Sequence, residues 1–268
     1  MPTVVRGDTR IVWEESGSGE PLLLIMGHGW PRQSWHRQVP ILATQFREIA
    51  FDNRGAGETS TTAPHWTITD MAEDALAVLD AAHVGRAHVF GVSMGGGIAQ
   101  EVALTHPDRV GALVLGCTAS AAAERAVSWG TVLRRVLPAL PRGKRAAQFA
   151  LLQVLCYGPD ADPARIGEDL DIIRSAPRTR AGLRGQSEAI KGFHSASRLP
   201  GLVAPTLVLH GDADRLVPPR CGEELAHLIP GAQLQLFPGA GHAFTTDATD
   251  AANDAVVRFL TAHPLSTP

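Results

Sequence analysis

The run His88-Val89-Phe90-Gly91-Val92-Ser93-Met94-Gly95-Gly96-Gly97 reads as a buried strand ending in Gly-x-Ser-x-Gly. It passes directly into Ile98-Ala99-Gln100-Glu101-Val102-Ala103-Leu104, which has helix-forming composition. A serine at the apex of so sharp a turn sits in strained backbone, and Gly91 and Gly95 fall where side chains would strike the adjoining strand and helix. The turn throws the Ser93 hydroxyl out from the carboxyl end of a sheet. It also aims the Met94 N–H, at a helix N-terminus, at any anion that develops beside that hydroxyl.

Working outward, the pattern repeats. Leu22 to Met26, Phe46 to Phe51, Val110 to Leu115, Pro205 to His210 and Gln233 to Phe237 are strand-length apolar runs. Helical segments alternate with them. One opens at Thr67, three residues before Asp70 in capping-box fashion, and another runs from about Thr249 to Ala262. Strands alternating with helices imply an α/β fold with a mostly parallel central sheet flanked by helices. Val4-Val5 and Arg10 to Trp13, joined through Gly7-Asp8, predict an antiparallel edge.

Between residues 119 and 198 strand-like runs vanish. Helical pieces at Val127 to Leu137, Lys144 to Leu155 and Ala164 to Arg174 are separated by Pro138, Pro141, Gly158-Pro159 and Pro177. The reading is a core domain of residues 1–118 and 199–268 with an inserted helical cap, 119–198. Trp129, Tyr157 and Phe193 in that segment, together with Trp30, are candidate pocket linings.

The chain has 268 residues, of which 44% are hydrophobic and 19% charged, enough apolar content for one large core. A net charge of -3 argues against a nucleic-acid binder. The start lacks the layout of a secretory signal, and no apolar run reaches membrane-spanning length, so a cytoplasmic protein with no membrane partner is expected. Cys117, Cys156 and Cys221 are scattered and odd in number, consistent with reduced structural thiols and no metal site. No cofactor motif stands out.

A serine hydroxyl is a weak nucleophile at neutral pH and needs a base, itself oriented by an acid. Among eleven histidines, only His242 follows a strand directly through a glycine-rich turn. The loop after Thr206 to His210 offers Asp212 and Asp214 as acids, and spacing does not separate them. The loop Gly27-His28-Gly29-Trp30-Pro31, at the end of another strand, bares backbone N–H groups as a second oxyanion donor. Asp52 and Arg54 are read as pairing or capping turns within their own loop.

Taken together, these motifs from Leu22 to His242 resemble the α/β-hydrolases of the esterase, lactonase and cofactor-free perhydrolase branch. The resemblance implies a Ser93, Asp214, His242 triad, with Asp212 as a loop-stabilising neighbour. Family members usually carry His-Gly before the second oxyanion donor. Read without gaps back from Trp35, this chain has Met26-Gly27 there and His28 as donor; a shifted reading makes Trp30 the donor. The implied activity is hydrolysis of a small or medium carboxylic ester or lactone through an acyl-serine. Ser93-Met94-Gly95-Gly96-Gly97 also resembles the perhydrolase (haloperoxidase) group. A lyase, cyclase or ligand-binding member of the fold is a further alternative. The aspartate nucleophile of haloalkane dehalogenases and epoxide hydrolases is absent, since Ser93 stands at that place.

Overall fold

A computed structural model describes residues 1–63, 65–121, 150–151 and 153–265. The N-terminal half contains β1 (Thr3–Arg6), β2 (Thr9–Ser16), β3 (Glu20–Ile25), α1 (Val39–Leu42), β4 (Phe46–Phe51) and β5 (Ser60–Thr61). It continues with α2 (Ile68–Ala81), β6 (Ala87–Val92), α3 (Met94–Thr105) and β7 (Val110–Gly116). After β7 come α4 (Pro163–Ser175), α5 (Arg180–Lys191), β8 (Thr206–Gly211), α6 (Arg220–Leu228), β9 (Gln233–Phe237), α7 (Phe244–Asp247) and α8 (Thr249–Thr261).

The strands form one sheet in the order β1-β2-β4-β3-β6-β7-β8-β9, with β5 also on β2. Pairings involving β2 are antiparallel, as the Gly7-Asp8 turn predicts, and all others are parallel. From β3 the chain steps to β4 on one side, then crosses to β6 on the other. The sheet therefore reverses its winding between β3 and β6, and a crevice opens at their carboxyl ends. Ser93 follows β6, and the loop from Gly27 to Trp30 follows β3, so both stand at that crevice.

Side-chain alternation divides the core between the two faces. Leu23, Ile25, Val89 and Leu113 pack with α2 and α3, while Leu22, Leu24, Phe90 and Val114 pack with Trp35, Leu42 and α8. Local chemistry starts the helices. Thr67 and Asp70 form the expected capping box on α2. Asp162 caps α4, with Pro163 in its first turn, and Thr179 caps α5 by accepting from the Gly182 N–H.

Between β7 and β8 the described residues are helical, and α4 spans the helix expected at Ala164 to Arg174. The helices expected at Val127 to Leu137 and over most of Lys144 to Leu155 lie outside the described residues. Asp52 caps its own loop through the Glu58 N–H, as expected, but Asp52 and Arg54 do not pair with each other. Asp52 binds the Arg32 guanidinium and accepts from the Arg32 and Glu58 N–H groups, while Arg54 makes two 2.6 Å bonds to Asp74 on α2. Both are buried, and partners from other elements neutralise them where loop partners could not.

Glu48 of β4 is buried between Ser16 of β2 and Leu22 of β3, and neither carboxylate oxygen has a hydrogen-bond partner among the described residues. Burial pushes its pKa from 4.5 up to about 8. Because the folded pKa is the higher one, folding takes up a proton between those values, and stability falls as pH rises through that window. Glu48→Leu is expected to be more stabilising at about pH 9 than at about pH 5, by on the order of 4 kcal/mol. Denaturant unfolding at the two pH values measures the difference; a pH-independent effect contradicts it.

Candidate active site

Ser93 joins β6 to α3 with φ 57° and ψ −120°, a backbone region that side-chain-bearing residues rarely occupy. Neighbours over-determine the turn. The Ser93 N–H donates to Gly116 O at 2.8 Å, and Thr118 Oγ1 donates to Ser93 O at 2.7 Å. A Cβ on Gly91 would lie 2.2 Å from Gly95 O, and one on Gly95 would lie 2.1 Å from Ile25 O. Those two glycines let α3 sit backbone to backbone on β3 and β6, which leaves the Ser93 side chain directed into the crevice. The Met94 N–H belongs to the first helical turn, where amides lack intrahelical acceptors.

His242 enters from the far side, after β9 and the turn Pro238-Gly239-Ala240-Gly241. Its Nδ1 stands 2.7 Å from Asp214 Oδ2, in the loop following β8. Asp214 is fully buried at its side chain, and its Oδ1 accepts from the Leu216 and Val217 N–H groups at 2.8 and 2.9 Å. Burial alone would raise the Asp214 carboxyl. The facing His242 and hydrogen bonds from His210 and His242 outweigh it and hold the carboxyl well below the usual carboxylate range. An ionised acceptor at Oδ2 makes Nδ1 the donor, and in the neutral ring that tautomer leaves Nε2 with its lone pair.

Asp212 turns elsewhere: its Oδ1 accepts from the Gly239 N–H at 2.7 Å and ties the acid loop to the histidine loop. Geometry therefore separates the two carboxylates that spacing could not.

Two further residues lie beside Asp214. His210 is buried, with Nε2 2.9 Å from Val217 O and 3.4 Å from Asp214 Oδ2. Cys117, which follows β7 in a left-handed conformation, has its Sγ within 4.8 Å of donor atoms of Asp214 and His242. Those three atoms are of metal-ligating type. However, His242 Nδ1 is engaged with Asp214, and burial together with the Asp214 charge keeps the thiol protonated, so the set fits a hydrogen-bonded cluster better than a cation.

Ser93 and His242 line one cavity of about 170 Å³ with Met26, His28, Trp30 and Cys156. Ser93 Oγ makes no hydrogen bond among the described residues; such contacts in ligand-free sites commonly close only around substrate. Trp30 lines the cavity, yet its N–H folds back onto Gly27 O at 3.4 Å. Tyr157 and Phe193 are not among the lining. The Tyr157 hydroxyl donates to Asp169, which draws the ring into the packing of α4, and Phe193 packs against Gly97 on α3. Trp129 lies outside the described residues. A larger groove of about 740 Å³ runs between the loop after Gly55 and the start of α5. Its lining brings Arg10, Arg178 and Glu58 together with serine and threonine residues, with no histidine or cysteine among the described residues there.

A serine on a strained strand-to-helix turn, at the switch point of a parallel sheet, thus shares a cavity with an aspartate-bound histidine. The family model for the α/β hydrolase fold matches residues 22–248, and the chain belongs to that family. It is 30% identical over 257 residues to a Mycobacterium tuberculosis protein named "Putative non-heme bromoperoxidase BpoC", covering 93% of this chain and 97% of that one. It is 31% identical over 260 residues to an Azorhizobium caulinodans protein named "Putative carbamate hydrolase RutD", covering 97% and 98%. The crystal structure of the enol-lactonase from Burkholderia xenovorans superposes with a TM-score of 0.82 at 27% identity, covering 97% of this chain and all (100%) of that one. No helix among the described residues is long and apolar enough to cross a membrane.

The strain and the close packing make opposite predictions at neighbouring positions. Ser93→Gly is expected to raise the unfolding free energy by about 1 kcal/mol, because glycine adopts positive φ without cost. Gly95→Ala is expected to lower it by about 3 kcal/mol through the clash with Ile25 O. Thermal or denaturant unfolding of the two variants reads both signs.

Proposed function

We propose that the protein is a serine hydrolase acting on a small or medium carboxylic ester or lactone. The observation that carries the reading is the 2.7 Å contact of His242 with a buried, ionised Asp214 at the wall of the cavity that Ser93 enters. Residues 119–198 serve as the cap over that cavity, closing it from water.

In this mechanism Ser93 Oγ attacks the substrate carbonyl carbon while its proton passes to His242 Nε2. Asp214 fixes the ring and stabilises the imidazolium. The Met94 and His28 N–H groups bind the tetrahedral oxyanion, each contributing on the order of 3 kcal/mol. Expulsion of the alcohol, which takes the proton from His242, leaves an acyl-serine. His242 then deprotonates a water molecule that attacks the acyl carbon, and the collapsing intermediate releases the acid and restores the Ser93 hydroxyl. His28 is preferred to Trp30 as donor because the Trp30 N–H already turns toward Gly27 O.

A cavity of about 170 Å³, walled on its apolar side by Met26, Trp30, Val92 and Leu216, suits a short acyl group. A series of 4-nitrophenyl esters and lactones is expected to give the highest kcat/KM for short acyl chains. Ser93→Ala should abolish turnover, and Asp214→Asn should lower kcat on the order of 10⁴-fold. A fluorophosphonate is expected to label Ser93 in the folded protein; turnover surviving in Ser93→Ala, or no adduct on wild type, refutes the reading. The name of the Mycobacterium tuberculosis relative favours a second chemistry, in which peroxide attacks the acyl-serine in place of water. Bromination of a reporter dye in acetate and hydrogen peroxide, lost in Ser93→Ala, would establish it.

A further inference from the structure

Gln186 lies on α5, in the cap, and is fully buried. Its side-chain amide joins two loops at the carboxyl edge of the sheet. Oε1 accepts from the Gly29 N–H at 2.7 Å, and Nε2 donates to Arg54 O at 3.0 Å. The same helix holds the residue before Gly29: His28 Nε2 is 3.0 Å from Leu183 O and 2.9 Å from Ser187 Oγ. The helix approaches at backbone distance. A Cβ on Gly29, at φ +71°, would meet Leu183 Cδ2 at 2.7 Å, and one on Gly55 would meet the Gly182 Cα at 2.8 Å.

We propose that Gln186 is a positioning residue that sets the oxyanion-binding loop from the cap. The inference rests on the hydrolase reading above, with the His28 N–H as donor. The His28 N–H lies in the peptide before its Cα, and the Gly29 N–H lies in the peptide after it. Gln186 fixes the second peptide, while the Leu183 to Ser187 turn fixes the His28 ring. Residue 28 is thus held at its side chain and at its following amide, and its own N–H takes its direction from α5. An oxyanion donor contributes only at hydrogen-bond distance from the developing charge, so a displacement of α5 weakens catalysis without removing any group that touches substrate. The arrangement makes the oxyanion hole a joint product of core and cap. Apolar contact alone would hold the helix but would not orient a peptide plane; the paired donor and acceptor of a buried amide do both.

Gln186→Met keeps the volume and removes both hydrogen bonds. With 4-nitrophenyl butyrate as probe, kcat is expected to fall roughly 10- to 100-fold while KM changes by less than about threefold. The affinity of a trifluoromethyl ketone carrying the same acyl chain should fall by the factor lost in kcat/KM, because the ketone adduct places an oxyanion in the same hole. A folded Q186M with wild-type kcat and wild-type ketone affinity overturns the proposal, whatever its melting temperature. If Q186M does not fold, His28→Ala carries the test, since it frees the loop from the Leu183 to Ser187 turn and keeps the backbone N–H. Reduced kcat and ketone affinity in H28A support the coupling, and unchanged values overturn it. Wild-type protein that hydrolyses the ester and takes up a fluorophosphonate on Ser93, beside an unaffected variant, refutes this inference alone; wild type doing neither refutes the hydrolase reading beneath it.

Discussion

The contact between the α3 backbone and the end of β3 is the constraint on which the site depends. Gly95 packs so closely on Ile25 O that no side chain fits between them, and Gly91 packs equally closely on Gly95 O. Helix and sheet therefore meet within one residue of the turn. A chain making that turn with L-residues must place one of them at positive φ, and Ser93 is that residue. The strain costs on the order of 1–3 kcal/mol, and the Gly116 and Thr118 hydrogen bonds hold it in place. In return Ser93 lines the cavity beside the first turn of α3, where the winding of the sheet opens a crevice.

Around that turn the loops are joined by buried polar groups more than by apolar area. Asp247 Oδ2 accepts from both Gly241, next to His242, and Gly158, in the insertion between β7 and β8. Asp169 of α4 accepts from Tyr157 and from Thr246 of α7. Gln100 of α3 contacts Ala119 O and Ser195 Oγ, pinning the two ends of the insertion to the nucleophile helix. Each of these groups is expensive to bury unless its partners are met in one geometry, so together they specify position as apolar packing alone would not. Described residues of the insertion thus help to fix the loops around the cavity.

Relatives of this chain carry names as different as bromoperoxidase, carbamate hydrolase and enol-lactonase. One fold hosts that range of names, so the fold by itself does not say which substrate a member takes. The cavity that Ser93 and His242 line is narrow, with Met26, Trp30, Val92 and Leu216 as its apolar wall and His28, Cys156 and Thr245 beside them.

Local patterns determined the strands, the alternation that makes the sheet parallel, the capping box of α2 and the serine turn, because each is written within a few consecutive residues. They also singled out His242 among the histidines, since a glycine turn after a strand is a local signal. Spacing left Asp212 and Asp214 undivided and only the family resemblance chose Asp214; the tertiary structure shows the physical difference, that one faces an imidazole and the other the Gly239 amide. It likewise decided that Asp52 and Arg54 find partners in Arg32 and Asp74 rather than in each other, and that Tyr157 and Phe193 are packing residues while Cys156 and Leu216 line the cavity. These outcomes depend on which distant elements come to lie against a loop, and burial forces each polar group to find a partner there. No spacing along the chain carries that information, because the contacts are set by which distant elements pack together in the fold.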